Sequence, residues 1–313
     1  MIVESAYTDT HKENILFKDA SGNRIILLSE VPKKYIKEFP FDLFAFKGKN
    51  NTVFLHGKNS FKKALMRFDG NDNILVLPDI LSIEESDVTF VGNDSLCYIN
   101  LSGSKRLRLA HIVLGSECVF YYGKGTNVNL SDYPTHFYTY ESSNIIIGNK
   151  CLIGNDVIVR TCDNHLFYDL KSGTRINLPG SVFIGDNCWI CQSVYINKNT
   201  VIGSGTIVGA RSVIGGKVYP SNTLVAGQPG KVLREDIAIL GKNNRCYVKE
   251  DIEKSKFLEN SASFLHIIDK NTIDIKQFDS DLKERRTAQK KLEYIEETLL
   301  VNDSKNRFAV KKQ

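Results

Sequence analysis

The sequence predicts a mainly β protein: a parallel β-helix with an irregular β-rich N-terminal region and a partly helical C-terminal extension. Three observations carry that expectation. Between Ile184 and Tyr219 the chain repeats every six residues, in the blocks IGDNCW, ICQSVY, INKNTV, IGSGTI, VGARSV and IGGKVY. A shorter copy, IGNKCL followed by IGNDVI, runs from Ile147 into Val159. Between the two lies a stretch, TCDNHLFYDLKSGTRINLPGSV, that has no such period. Self-similarity at a fixed short period is the mark of a stacked solenoid.

The residue types explain the period. Position one of each block is aliphatic: Ile184, Ile190, Ile196, Ile202, Val208 and Ile214. Position five is small or β-branched: Cys188, Val194, Thr200, Thr206, Ser212 and Val218. Position two is mostly glycine, at Gly185, Gly203, Gly209 and Gly215. One inward-facing strand per block, with a corner of Gly, Asn or Asp that tolerates unusual backbone angles, fits this pattern. Three blocks would close a triangular coil, and coils would stack about 4.8 Å apart.

Taken in order, residues 1–110 hold short β-branched and aromatic runs between Gly, Asn and Asp clusters, such as NTVFLHGKN and NILVLPDI. They read as strands and turns, and VGNDSL and LGSECV fit a degenerate hexapeptide. Residues 111–236 are the regular helix, with a loop insertion over about 162–181. From 237 to 313 the composition becomes charged and helical. In LKERRTAQKKLEYIEETLLV, Ala288, Leu292, Ile295 and Leu299 share one stripe, which packing against the protein itself or a second subunit would bury. The last dozen residues, ending in FAVKKQ, read as a frayed terminus.

Composition narrows the function. A chain of 313 residues, 42% hydrophobic, with no long apolar run, predicts no transmembrane segment. The stretch MIVESAYTDTHKEN lacks the layout of a secretory signal, so a cytoplasmic location is expected. A net charge of +5 without a dense Lys/Arg stripe suits a polyanionic small molecule and does not suggest nucleic acid. Of the seven cysteines, Cys118, Cys151 and Cys188 fall at the small inward position of a block. Cys188 and Cys191 form a single C-x-x-C at positions that point differently, so buried thiols are expected and no metal.

The insertion is the candidate site, because a long excursion from a solenoid corner is usually functional. It carries Asp163-Asn164-His165, with Tyr168 and Asp169 nearby, and no other histidine lies between His136 and His266. Downstream stand IGDNCWI, IGSGTIVGARSVI and AGQPGKVLR, from Ile184 to Arg234. Over about residues 145–236 this set resembles the left-handed β-helix hexapeptide O-acetyltransferases that modify sugars and bacterial surface polysaccharides. The pattern is most similar to the sialic-acid capsule enzymes. Cys191 departs from a usual Gly, and Gly230 from a common Ala.

The resemblance implies a left-handed helix, although parallel crossovers are right-handed in roughly 98% of cases. It implies acetyl-CoA as cosubstrate, a carbohydrate acceptor, and a homotrimer with sites between subunits. In that light His165 would be the general base, and an imidazole of ordinary pKa about 6.5 suits the task. Asp163 or Asp169 could orient the ring, with the resemblance favouring Asp163. Trp189, the only tryptophan, would be a wall beside the thioester, with inter-coil packing as its ordinary alternative. Gly209 and Ala210 would let the pantetheine arm approach backbone, and Arg211, Lys231 and Arg234 would meet its phosphates. His136, Tyr138 and Tyr140, in the cluster SDYPTHFYTYE, and Tyr168 are candidate acceptor contacts, with strand packing as the plainer role. The alternatives are an N-acetyltransferase on an amino-sugar nucleotide, a β-helix metal hydratase, and a non-catalytic solenoid. The hydratase needs several imidazoles on one zinc, where the repeat region offers His165 alone.

Overall fold

The computed structural model describes residues 15–28, 39–56, 58–79, 82–100, 106–128 and 133–311. The N-terminal stretch that carried the targeting expectation lies outside them. Three parallel faces make a triangular prism. Ten strands form face one, among them Thr52–Leu55, Ile74–Leu77, Leu96–Ile99, Val119–Tyr122, Asn144–Ile147, Val182–Ile184, Thr200–Ile202 and Val218–Tyr219. Eight form face two, including Asp87–Phe90, Ala110–Leu114, Thr135–Thr139, Ile158–Arg160 and Tyr195–Ile196. Face three runs in two stretches, the second holding Leu152–Ile153, Trp189–Ile190, Ile207–Val208 and Leu224–Gly227. The antiparallel strand Gly230–Arg234 closes that face. Faces one and two cross residue 110 without a break.

All six position-one aliphatics are buried in a single core that runs the length of the prism. Position five is buried from Cys188 to Ser212, but Val218 is half-buried and its neighbour Tyr219 takes the inward place, pairing with Ile202. The last coil is one residue short, and a one-residue slip exchanges the two sides of a strand. The corners differ from expectation too. The left-handed backbone sits at position four, in Asn187, Ser193, Asn199, Gly205 and Arg211 (φ between 54° and 74°). The position-two glycines serve another purpose: a Cβ on Gly185 would lie 2.6 Å from the Ser204 nitrogen in the next coil. Close stacking, not backbone freedom, demands glycine there.

The N-terminal coils are true coils with a longer turn. Partners on adjacent coils are 22 residues apart there, as with Asn51 and Asn73, against 18 for Asp186 and Ser204 in the regular region. A buried ladder holds them in register. Asn51 Nδ2 donates to Asn23 Oδ1 (2.9 Å) and to the Gly70 carbonyl (3.0 Å); Asn73 Nδ2 repeats this toward Asn51 Oδ1 (3.1 Å) and Gly92 (2.9 Å). Ser95 Oγ continues it to the Gly115 carbonyl at 2.6 Å. Each side chain satisfies its own buried polar atoms and a neighbouring backbone group at once, which an apolar residue could not do. The recurrence of Gly48, Gly70, Gly92 and Gly115, each three residues before Asn51, Asn73, Ser95 or Cys118, was the readable signal.

The C-terminal extension braces face one. After helix α1 (Lys249–Lys254), α2 (Ile275–Glu284) is capped by Asp274 and α3 (Ala288–Ile295) by Thr287. Ala288, Leu292, Ile295 and Leu299 are all buried, together with Phe278 and Leu282, against Val76, Leu96, Tyr98, Val119 and Phe183. The stripe thus packs on its own chain. The expected frayed end is a correction: Arg307, Phe308 and Ala309 are buried. Arg307 bridges both carboxylate oxygens of Asp186 (2.9 and 2.8 Å) and donates to the carbonyls of Leu299 and Asn302. Val310 exchanges two hydrogen bonds with Ser221, tying the tail across the last coil. No helix among the described residues is long and apolar enough to cross a membrane.

Two stability outcomes follow. Arg307→Met leaves Asp186 buried and unpaired, and urea unfolding should show a loss of about 3–5 kcal/mol, partly recovered by adding Asp186→Asn. The second concerns Lys291, fully buried with its ammonium 3.2 Å from the Asp94 carbonyl, where burial pushes its pKa from 10.5 down to about 8. Below that value both folded and unfolded states hold the proton. As pH rises from about 8 to 10.5 the unfolded state alone keeps it, so this group makes stability rise. Lys291→Met should remove that rise, measured by unfolding at pH 7.5 and 10.

Candidate functional site

The aperiodic stretch leaves the prism at the corner between faces two and one, after Ile158–Arg160 and before Val182–Ile184. Its base is closed by Gly180 N donating to the Thr161 carbonyl (2.8 Å), and Thr161 Oγ1 exchanges hydrogen bonds with the backbone of Tyr140. The excursion is a small hairpin with a bridge between Tyr168 and Arg175. Its tip is shaped by Asp169, whose carboxylate accepts from the backbone of Lys171 and Ser172 and from the Ser172 hydroxyl.

Asn177, missed in the sequence, organises the interior of this loop. It is buried; its Oδ1 accepts from Phe167 N (2.9 Å), and its Nδ2 donates to the His165 carbonyl (2.7 Å) and to Asp163 Oδ2 (3.1 Å). Lys198 Nζ holds the same Asp163 oxygen at 2.6 Å. The Lys198 hydrogen bond outweighs partial burial and, with Asn177, keeps the Asp163 carboxyl below its ordinary pKa. His165 itself is exposed, and among the described residues its ring has no hydrogen-bond partner. This corrects the expected pairing within one chain. The Asp169 carboxylate closes its own turn and the bonded oxygen of Asp163 is committed to Lys198 and Asn177, so neither acid hydrogen-bonds the imidazole. Asp169 is spent on the backbone of its own turn, and Asp163 on the side chains of Asn177 and Lys198.

Trp189 stands elsewhere. It lies on face three between Leu152 and Ile207, 43% exposed, in a groove of about 920 Å³ walled on its far side by residues 238–245. Face three is opposite the corner that carries His165, so a single chain does not bring the two together. The remaining donor candidates lie farther along the prism, outside the lining of that groove. Gly209 and Ala210 occupy the corner between faces three and two, where Gly154, Cys191 and Gly209 stack in successive coils. Half-buried Cys191 thus fills the place of a usual glycine by packing against the core. Arg211 follows, and Lys231 and Arg234 lie opposite Ala226 and Leu224 on the closing strand, all three exposed.

The acceptor candidates divide. His136 and Tyr138 point outward from face two while Phe137 between them is fully buried. His136 stacks on Tyr138 (5.8 Å) and on His111 of the preceding coil (5.0 Å), and Tyr138 stacks on Tyr140 (6.2 Å). Tyr168 is on the hairpin, half exposed, apart from that ladder. Arg160 and Tyr195, also missed, complete the outer surface of face two beside the loop. Burial of His136, reinforced by His111, lowers its pKa, whereas the hydrogen bond that His111 donates to the Asp87 carboxylate raises that of His111. Among the described residues no group of three or more His, Cys, Asp or Glu could hold a metal. All seven cysteines are free thiols, five of them buried.

With this geometry in view, residues 181–216 match the family described as bacterial transferase hexapeptide (six repeats). The chain is 43% identical over 97 residues to a polysialic acid O-acetyltransferase of Escherichia coli O1:K1 / APEC, covering 31% of each chain. It is 36% identical over 58 residues to the polysialic acid O-acetyltransferase of Neisseria meningitidis, covering 18% of this chain and 27% of that one. The matched stretches thus span less than a third of either relative. Among solved structures, the polySia specific acetyltransferase NeuO is similar at TM-score 0.54 and 25% identity, over 71% of this chain and 91% of that one. The polysialic acid O-acetyltransferase OatWY is similar at TM-score 0.55 and 23% identity, over 69% and 99%, a likeness of fold. The prism is therefore the left-handed β-helix of hexapeptide-repeat proteins. Lys198→Met should raise the Asp163 carboxyl pKa toward its ordinary range in an NMR titration and speed amide exchange across the hairpin.

Proposed function

We propose that this protein, whose residues 181–216 match the bacterial transferase hexapeptide family, is an O-acetyltransferase. It moves the acetyl group of acetyl-CoA to a hydroxyl of a carbohydrate, a sialic-acid-containing or other bacterial surface polysaccharide. The observation that carries the reading is His165. It is an exposed imidazole with no hydrogen-bond partner among the described residues, on a hairpin whose backbone is pinned by buried Asn177, beside a helix whose repeats match the hexapeptide family.

In this reading His165 takes the proton of the acceptor hydroxyl as its oxygen attacks the thioester carbon. The C–O bond forms, the C–S bond breaks, and the departing thiolate recovers the proton from the imidazolium. The donor supplies the activated acetyl group; the protein supplies position and proton transfer. Asp163 acts through Asn177 on the His165 backbone and is a positioning residue. Trp189 flanks the donor, Gly209 and Ala210 leave room for its arm, and Arg211, Lys231 and Arg234 meet its phosphates. None of those three cations has a carboxylate partner among the described residues, which suits the role. Tyr138, Tyr140, His136 and Tyr168 face the acceptor.

Since the His165 corner and the Trp189 face lie on opposite sides of one prism, a second copy must complete the site, and a homotrimer satisfies this for every subunit. Use of acetyl-CoA places the reaction in the cytoplasm. Residues 111–236 carry the chemistry, the described residues before them lengthen the prism and those after them brace it.

His165→Ala should lower kcat/KM by about 10²–10⁴-fold, the ordinary contribution of a general base, with the melting temperature unchanged because the ring is exposed. Transfer of labelled acetyl to a saccharide acceptor measures it, and full activity in that variant would remove His165 from the reaction. Hydroxylamine should release the label, since esters are cleaved where amides survive.

A further inference from the structure

The last residue of face two before the hairpin is Arg160, and its surroundings are unusual for a solvated arginine. Its guanidinium lies over the rings of Tyr195 (5.1 Å to the centroid) and Tyr138 (5.7 Å), from the coils on either side. Its Nε is buried and, among the described residues, has no hydrogen-bond acceptor. The acids around it are already engaged: Asp163 with Lys198 at 2.6 Å, and Glu141 with Arg175 at 2.7 Å. A buried donor left without an acceptor costs free energy, so a fold retains one where something else satisfies it. The flat walls of two tyrosines fix the guanidinium plane, and among the described residues it makes no ion pair, although the Asp163 carboxylate at the foot of the His165 loop feels its charge.

We infer that Arg160, cradled between Tyr138 and Tyr195, binds the carboxylate of an acidic-sugar acceptor and selects acidic over neutral polysaccharides. A planar fork of donors matches a carboxylate bidentately, which an ammonium does not. The aromatic walls give a sugar ring apolar surface on both sides of that bond. This rests on the transferase reading above and names the acceptor class that the site takes.

The test uses two polymers, α2,8-linked polysialic acid and the same polymer with its carboxylates reduced to alcohols. Wild type should acetylate the acidic polymer with the higher kcat/KM. Arg160→Gln should raise KM for it by roughly ten- to a hundred-fold, as loss of a charge-assisted bond does, with kcat little changed and the reduced polymer affected less than about threefold. Arg160→Lys should recover only part of the loss. Direct binding of each polymer, by calorimetry on wild type and Arg160→Gln, should show the same selectivity without turnover. Equal losses for both polymers, or a change in kcat alone, would mean that Arg160 merely supports the loop and would overturn the assignment. Unchanged polysialic acid binding in Arg160→Gln would do so as well. Wild type that binds polysialic acid through Arg160 but acetylates no saccharide would instead strike the transferase reading and leave this binding site standing.

Discussion

Every coil of a β-helix must offer its backbone N–H and C=O groups to the coils above and below, about 4.8 Å away, in unbroken register. That spacing leaves no room for a Cβ where chains cross most closely, hence glycine at Gly48, Gly70, Gly92 and Gly185. It also means that extra residues can be added only where no ladder runs, at the corners. Coils of 18 and 22 residues therefore stack in one prism, and a coil with 37 residues between partners such as Asn149 and Asp186 expels its surplus as the His165 hairpin. Chemistry is free to sit on that surplus because the strands either side pair as if it were absent.

The same rule creates two liabilities, an open end and outward faces that are not all polar. The protein meets both with its C-terminal extension. The helices lay Leu282, Leu292 and Ile295 across face one, and the tail returns to pair with Ser221 on the last coil. Arg307 joins the two tasks, since its Asp186 partner belongs to the same corner that supports Asn149 in the coil before. The bracing leaves the loop corner, face two and much of face three uncovered, and these carry every candidate residue.

Division of the candidates between opposite sides of the prism is itself informative. A triangular section cannot bring a corner against the face opposite it, however the side chains turn. Under the proposed transferase reading, the donor-side candidates on face three and the imidazole at the far corner cooperate only across two copies, which makes assembly part of that proposal.

The six-residue period determined the fold, the inward aliphatics from Ile184 to Ile214, the buried thiols and the position of the loop, because each depends on local spacing that a solenoid repeats without long-range information. The stripe Ala288, Leu292, Ile295 and Leu299 was legible for the same reason, though the surface it covers was not. The 22-residue period marked by Gly48, Gly70 and Gly92 was present but hidden by corners of unequal length. Only the tertiary structure decided what Asp163 and Asp169 bind, that Asn177 and Lys198 hold the loop, that Arg160 rests between Tyr138 and Tyr195, and that the tail is buried. Those depend on which residues from separate coils meet in space. A polar side chain in a loop goes to the nearest unsatisfied donor or acceptor, and no spacing in the chain states which that will be.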